Sequence, residues 1–265
     1  MLGGIVVEAT ARVARLRSRA GALAALERAV AAAPATPGFR DALRREHVAV
    51  IAEVKRRSPS KGEINSALSA AEQASAYAAG GASAVSVLTE PVHFGGSVDD
   101  LAESWRAVEI PLLRKDFHVD EIQLLEARAA GASAALLIAR ALPPETVARL
   151  AAFARGIGLE TLVEVRTDQE LEHAVAIGAE IIGVNNRDLE TLEMDATVRE
   201  RLIPLIPPGT IAVAESGIAS VSDVERAAAC GADAVLVGSI LSGAADPTAA
   251  VSAIARVPRK ARLGR

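Results

Sequence analysis

The chain has 265 residues, a net charge of −4, and a composition that is 51% hydrophobic yet only 2% aromatic. That length suits one large α/β domain, the charge provides no global field to hold nucleic acid, and the core has to be built from Ala, Val, Leu and Ile. The single cysteine, Cys230, excludes an internal disulfide, and no uninterrupted apolar stretch reaches the roughly 20 residues of a membrane span.

In chain order, Val6, Val13, Leu16, Ala20, Leu23 and Val30 recur at helical spacing and predict an amphipathic helix. The segment is Arg-rich, but Glu8 and Glu27 interrupt it, so a structural helix in a cytoplasmic protein fits better than a transit peptide. Ala33 to Gly38 (APATPG) breaks the chain, and Phe39 to His47 is expected to form a second short helix.

Two interlocking signals organise the rest. Apolar runs ending in charge occur at Ile51 to Lys55 (IAEVK), Leu112 to Asp116 (LLRKD), Leu162 to Val165 (LVEV) and Val213 to Ser216 (VAES). Between them, Gly81-Ala82, Gly131-Ala132, Gly178-Ala179 and Gly231-Ala232 each close an Ala-rich helical run and lead straight into strand material. Each signal repeats at an interval of about 50 residues, twice a usual βα unit. Interleaved, they predict strands over 48–54, 83–88, 111–115, 133–138, 159–165, 180–185, 210–215 and 233–238. The helices are expected over 68–79, 98–107, 119–130, 143–155, 167–177, 195–202, 220–230 and 246–255. Strict alternation predicts an α/β (β/α)8 TIM barrel over residues 48–265, with residues 1–47 as an N-terminal helical extension. A doubly wound open sheet is the main alternative, and no G-x-G-x-x-G follows the first strand. Whether the extension plugs one barrel end or caps the active mouth is open.

Barrel enzymes carry their sites at the carboxyl ends of the strands. Those ends hold Glu53 and Lys55, Lys115, Glu164, Asn185 and Arg187, and Glu215 and Ser216. Such a set suits proton transfer and anion binding. It does not suit zinc, since the four histidines are scattered without ligand spacing. Each residue has a plainer alternative: a Glu53–Lys55 ion pair, a solvated Lys115–Asp116 or Glu164–Arg166 pair, a turn at Asn185 to Asp188. Their joint occurrence at one end of successive strands favours a site. Gly217 after strand seven and Gly238-Ser239 after strand eight suit a phosphate cradle. The loop Lys55 to Gly62 (KRRSPSKG), with cations at Lys55, Arg56, Arg57 and Lys61 and a hydroxyl at Ser58, suggests a clamp for an anion.

The segments IAEVKRRSPSKG, SVLTEPVHFGG, LLRKDFHVDEIQ, LVEV, GVNNRDLETLE, AESGI and LVGSIL, in that order, resemble the indole-3-glycerol phosphate synthase family over nearly all of the chain after residue 47. The resemblance implies ring closure of 1-(2-carboxyphenylamino)-1-deoxyribulose 5-phosphate with loss of CO2 and water, without cofactor or metal. It implies a catalytic set of Lys115 as general acid, Glu164 as general base and Glu53 as a second proton-transfer group, with Lys55, Asn185 and Ser216. Lys55 and Arg187 would hold the substrate carboxylate, and Asn185, Glu215 and Ser216 would orient sugar hydroxyls and neighbouring charges. Phe94, Phe117, Leu136, Leu189 and Leu236 would line an aromatic slot, while Ser58, Gly217, Gly238 and Ser239 would take the phosphate. The expected partner is a small phosphorylated substrate, with no nucleic acid or membrane and a monomer or weak oligomer as the working state. The rivals are a barrel aldolase with Lys115 as a Schiff-base lysine and a catalytically inert barrel scaffold.

Overall fold

Eight apolar runs, buried over most of their length, form a closed parallel barrel in the computed structural model, which describes residues 1–60, 62–65 and 67–262. The strands are β1 (Ala49–Val54), β2 (Ala84–Leu88), β3 (Leu112–Lys115), β4 (Ala134–Ile138), β5 (Glu160–Val165), β6 (Ile181–Asn185), β7 (Ile211–Glu215) and β8 (Ala234–Val237). Each strand pairs with its sequence neighbours, and β1 closes the ring by pairing with both β2 and β8. Each starts one residue later than the sequence predicts. Lys61, one of the expected loop cations, lies outside the described residues.

The period of two along each strand decides what faces where. Val50, Ala52, Val163, Val165, Val235 and Val237 belong to the outer core beneath the helices. Ile51, Leu113, Leu162, Val213 and Leu236 belong to a second cluster inside the barrel. Continuing the inner parity to the strand ends turns Glu53, Lys115, Glu164 and Glu215 inward, which is why these charges converge.

The outer helices are α4 (Ala70–Ala79), α5 (Val98–Ala107), α6 (Glu121–Ala129), α7 (Pro144–Gly156), α8 (Asp168–Ala176), α9 (Thr197–Leu202), α10 (Val221–Ala229) and α12 (Pro247–Ile254). They agree with expectation to within two residues, chiefly because the expected ranges took in the caps. Ser97, Thr167 and Ser220 cap α5, α8 and α10 through side-chain oxygens, and Pro144 opens α7. The glycines at 81, 131, 178 and 231 all have positive φ, as their helix-stop role requires. Gly131 has a further constraint: a Cβ there would overlap the indole of Trp105, which packs over it from α5.

The extension departs from the expected single long helix. It forms α1 (Leu2–Ser18) and α2 (Ala22–Ala32), broken where Gly21 adopts φ +73°. The buried stripe of α1 is Leu2, Ile5, Ala9 and Val13, and no residue of α2 is buried. The second helix, α3 (Phe39–Ala42), is a single turn that ends well before His47, whose backbone instead bridges Pro258. Both placements left open for this segment occur, in different pieces. In α3, Arg40 bonds Glu160, Glu180 and the Gly209 carbonyl, and Phe39 and Leu43 are fully buried, sealing the amino ends of the strands. The α1 helix lies over the opposite end.

Candidate active site

A cavity of about 290 Å³ opens at the carboxyl ends of the strands. Most candidate residues named from the sequence line it: Glu53, Lys55, Ser58, Phe94, Lys115, Phe117, Leu136, Glu164, Asn185, Arg187, Leu189, Glu215, Ser216, Gly217, Leu236, Gly238 and Ser239, but not the clamp cations Arg56 and Arg57. Met1 and, on α1, Leu2 and Ile5 line it too, so that helix roofs the cavity.

Lys115 lies at the centre, with Nζ 3.5 Å from Glu164 Oε2 and 3.4 Å from Glu215 Oε2. Burial alone would lower its pKa, but Glu215, Glu164 and Glu53 together outweigh that and raise it above the ordinary lysine value. Glu53 pairs with Lys55 at 2.7 Å. Burial pushes the Glu53 carboxyl up, and the ammoniums of Lys55 and Lys115 more than reverse this, so it stays ionised. Glu215 goes the other way: burial, reinforced by Glu164 and Glu53, overcomes Lys115 and pushes its pKa up to about 8. Glu215 and Glu164 are therefore carboxyls in contact with one ammonium, a geometry that can hold and move protons.

The plainer alternatives are resolved by partner. Asp116 does not pair with Lys115; it is buried and accepts from Arg114, Thr89 and both nitrogens of Arg12 on α1. Burial opposes ionisation of Asp116, yet the two guanidiniums hold its carboxyl well below the ordinary range. Arg166 turns away from Glu164 and donates to the Asn185 and Asn186 carbonyls, with Asp188 3.4 Å away. The turn at Asn185 does exist: its side chain accepts from Arg187 N at 2.9 Å. It also fixes the start of Arg187, whose guanidinium donates to the Leu192 carbonyl and faces no carboxylate among the described residues.

On the apolar side Phe94 and Phe117 form a tilted ring pair, centroids 6.4 Å apart at 35°, that gives the cavity an aromatic wall. Beyond β7, Ser216 has φ +61° and Gly217 φ +75°, an irregular turn that presents its backbone to the cavity. Gly238 precedes a four-residue turn of helix, α11 (Ser239–Ser242); a Cβ on Gly238 would overlap Glu53 Oε1 and sit 2.7 Å from Lys55 Nζ. The expected basic clamp is corrected in part. Arg56 is committed to a bidentate pair with Asp100 and to carbonyls of Leu68 and Gly95, so it anchors the loop rather than reaching for an anion. Ser58 and Gly62 lie on the two sides of a short hairpin that shapes this loop.

Several contributors were not legible in the sequence. Ser242 Oγ donates to the Glu53 carbonyl and accepts from Lys55 N, and Tyr77 OH reaches the same carbonyl, together holding the end of β1. Asn186, buried behind the site, accepts from Arg199 N. Asp116, by contrast, did carry a signal, a charge directly following an apolar strand. Outside the cavity, Glu8, Glu90 and His93 bring donor atoms within 4.8 Å of one another. Glu90 is already occupied by N–H groups of Val92, His93 and Phe94, and His93 Nε2 by Glu8, so the trio serves as a clasp between α1 and the loop after β2.

A family model described as indole-3-glycerol phosphate synthase matches residues 2–254. Indole-3-glycerol phosphate synthase 2 of Streptomyces coelicolor is 48% identical over 247 residues, covering 93% of this chain and 95% of that protein. Indole-3-glycerol phosphate synthase of a Nocardioides species is 53% identical over 202 residues, covering 76% and 78%. Among solved structures, 3-hexulose-6-phosphate synthase from Salmonella typhimurium superimposes with a TM-score of 0.63 at 16% identity over 79% of this chain and 97% of that one, a likeness of fold alone. By model and by relatives, the chain belongs to the indole-3-glycerol phosphate synthase family.

Proposed function

We propose that this protein closes the indole ring of 1-(2-carboxyphenylamino)-1-deoxyribulose 5-phosphate, releasing CO2 and water to leave indole-3-glycerol phosphate. One observation carries the site assignment: the Lys115 ammonium sits between Glu164 and Glu215 in a cavity that also presents the Phe94–Phe117 pair and the Arg187 guanidinium.

The anthranilate ring lies against this aromatic wall, bounded by Leu136, Leu189 and Leu236. Its carboxylate meets Arg187, with Lys55 shared between that carboxylate and Glu53. Lys115 protonates the ketone oxygen as the ring carbon attacks, and later the departing hydroxyl; an ammonium also stabilises the developing alkoxide. Glu164 removes the substrate proton, and the Glu53–Lys55 pair is a second proton-transfer centre. Asn185 and Ser216 orient the sugar, and the phosphate lies among Ser58, Gly217, Gly238 and Ser239, where backbone N–H groups are close at hand. In the same proposal residues 1–47 complete the 48–265 barrel, and the protein acts in the cytoplasm as a monomer or weak oligomer. No helix among the described residues is long and apolar enough to cross a membrane.

The test is to add the deoxyribulose phosphate to purified protein and follow indole-type fluorescence. A rise that inorganic phosphate slows competitively is expected; no rise would overturn the activity. Borohydride added with substrate should trap no adduct on Lys115, since trapping would favour the Schiff-base alternative.

A further inference from the structure

The proposed reaction has an unbalanced proton ledger. Protons are donated twice, to the ketone oxygen and to the departing hydroxyl, and one is taken up by the base. A carboxylate leaving as neutral CO2, together with water, therefore consumes one proton net per turnover. Lys115 has to be recharged between its two donations, inside a roofed cavity.

We propose that Glu215 rests as a carboxylic acid and is the proton store that recharges Lys115, and that Gly183 is the positioning residue that makes room for it. The assignment rests on the activity proposed above. Two ammoniums, Lys55 and Lys115, serve three carboxyls, Glu53, Glu164 and Glu215, while Arg187, another cation of the lining, donates to the Leu192 carbonyl and pairs with none of the three, so one carboxyl has no cation of its own. Glu53 has Lys55 at 2.7 Å, and Glu164 has Lys115. Glu215 is the one with an oxygen, Oε1, that is buried without any partner, an arrangement costly for a carboxylate and tolerable for an acid. That oxygen occupies the space over Gly183 on the neighbouring strand, where any Cβ would overlap it. The raised pKa of about 8 agrees with an acid at neutral pH.

The step is a proton transfer with no redox change. Lys115 gives its proton to the ketone oxygen and becomes a neutral amine. The Glu215 O–H bond breaks as the Lys115 N–H bond forms, leaving a carboxylate beside a restored ammonium. The proton collected by Glu164 passes to Glu215, the carboxyl on the other side of the same Lys115 ammonium, and solvent supplies the net proton once per cycle.

The experiment is single-turnover kinetics on wild type and Glu215→Gln, reading CO2 release and indole fluorescence separately, together with a steady-state pH profile. In the variant, CO2 release should slow less than about threefold while indole formation slows by roughly tenfold or more. Wild-type turnover should fall above about pH 8, and that limb should vanish in Glu215→Gln. Gly183→Ala should move the limb to lower pH by about one unit, because the displaced carboxyl is less desolvated; an unmoved limb would refute the role of Gly183. If Gly183→Ala does not fold, the Glu215→Gln data decide. Equal slowing of both signals, no slowing of either, or a persisting limb would overturn the proton store. A wild-type protein that releases neither CO2 nor indole would instead overturn the activity itself.

Discussion

At the scale of single residues, function depends on which charge each strand-end group faces. Lys115→Met removes the proposed acid while its carboxyl neighbours remain, so kcat should drop by about 10²- to 10⁴-fold with far less change in KM; steady-state kinetics check this, and a preserved kcat would dismiss Lys115 as the acid. Gly238→Val places a side chain onto Glu53 Oε1 and Lys55 Nζ, in the loop proposed to hold the phosphate. Competition by inorganic phosphate should disappear along with most turnover, read as loss of the inhibition constant. A quieter group reports pH. His118 donates Nδ1–H to the Leu136 carbonyl at 2.7 Å, while its Nε2 is buried without a partner. Burial, with Arg114 adding, lowers its pKa from 6.5 to about 4. The unfolded chain thus takes up a proton on this ring before the folded one does, so its contribution is complete above about pH 6.5 and fades as pH falls toward 4. The loss is on the order of 3 kcal/mol, and denaturant titrations of wild type and His118→Asn at pH 7 and 4.5 should differ by that pH-dependent amount.

At the scale of elements, α1 is held to the barrel by polar clasps at both ends of its span. Arg12 meets Asp116 and Arg17 meets Asp120 near β3, Glu8 meets His93 near β2, and the Met1 ammonium meets Glu190 in the loop after β6. Arg12→Ala leaves Asp116 with Arg114, Thr89 and its own loop N–H, so the fold survives at a cost of about 1–3 kcal/mol. The roof then loosens, and KM should rise more than kcat falls; unchanged KM would mean that α1 covers the cavity without helping to bind. The break between α1 and α2 shows where pattern reading stops. Val6, Val13, Leu16, Ala20, Leu23 and Val30 do recur at helical spacing, yet Ala20 and Leu23 are exposed because Gly21 turns the chain onto α6. Local periodicity records that a helix exists, and a single left-handed glycine within a helical run leaves no contrast in that periodicity. The barrel strands were legible for the opposite reason. Their inner and outer faces are both apolar, their stop glycines recur, and the charges at their ends share the inward parity of Ile51, Leu113, Leu162 and Val213. Ser242, Tyr77 and Arg12 were not legible, because each works through a partner more than 20 residues away whose proximity only closure of the ring creates.

At the scale of the whole molecule, the two ends of the barrel divide the labour. Chemistry gathers at the carboxyl end, and α3 seals the other with Phe39 and Leu43. Phe39→Ala should therefore cost about 3–5 kcal/mol of stability while leaving kcat within a factor of about two; an equal loss of turnover in the folded variant would show that the ends are mechanically linked. The chain contains one tryptophan, and it is stationed on the outer wall, pressed against the backbone of Gly131 and absent from the cavity lining. A catalyst that manufactures indoles thus keeps its own indole away from the workplace. Emission that grows when substrate is mixed in originates with newly made rings, whereas a shift in the protein's intrinsic colour registers loosening of the shell, so one fluorimeter can time synthesis and melting as independent channels.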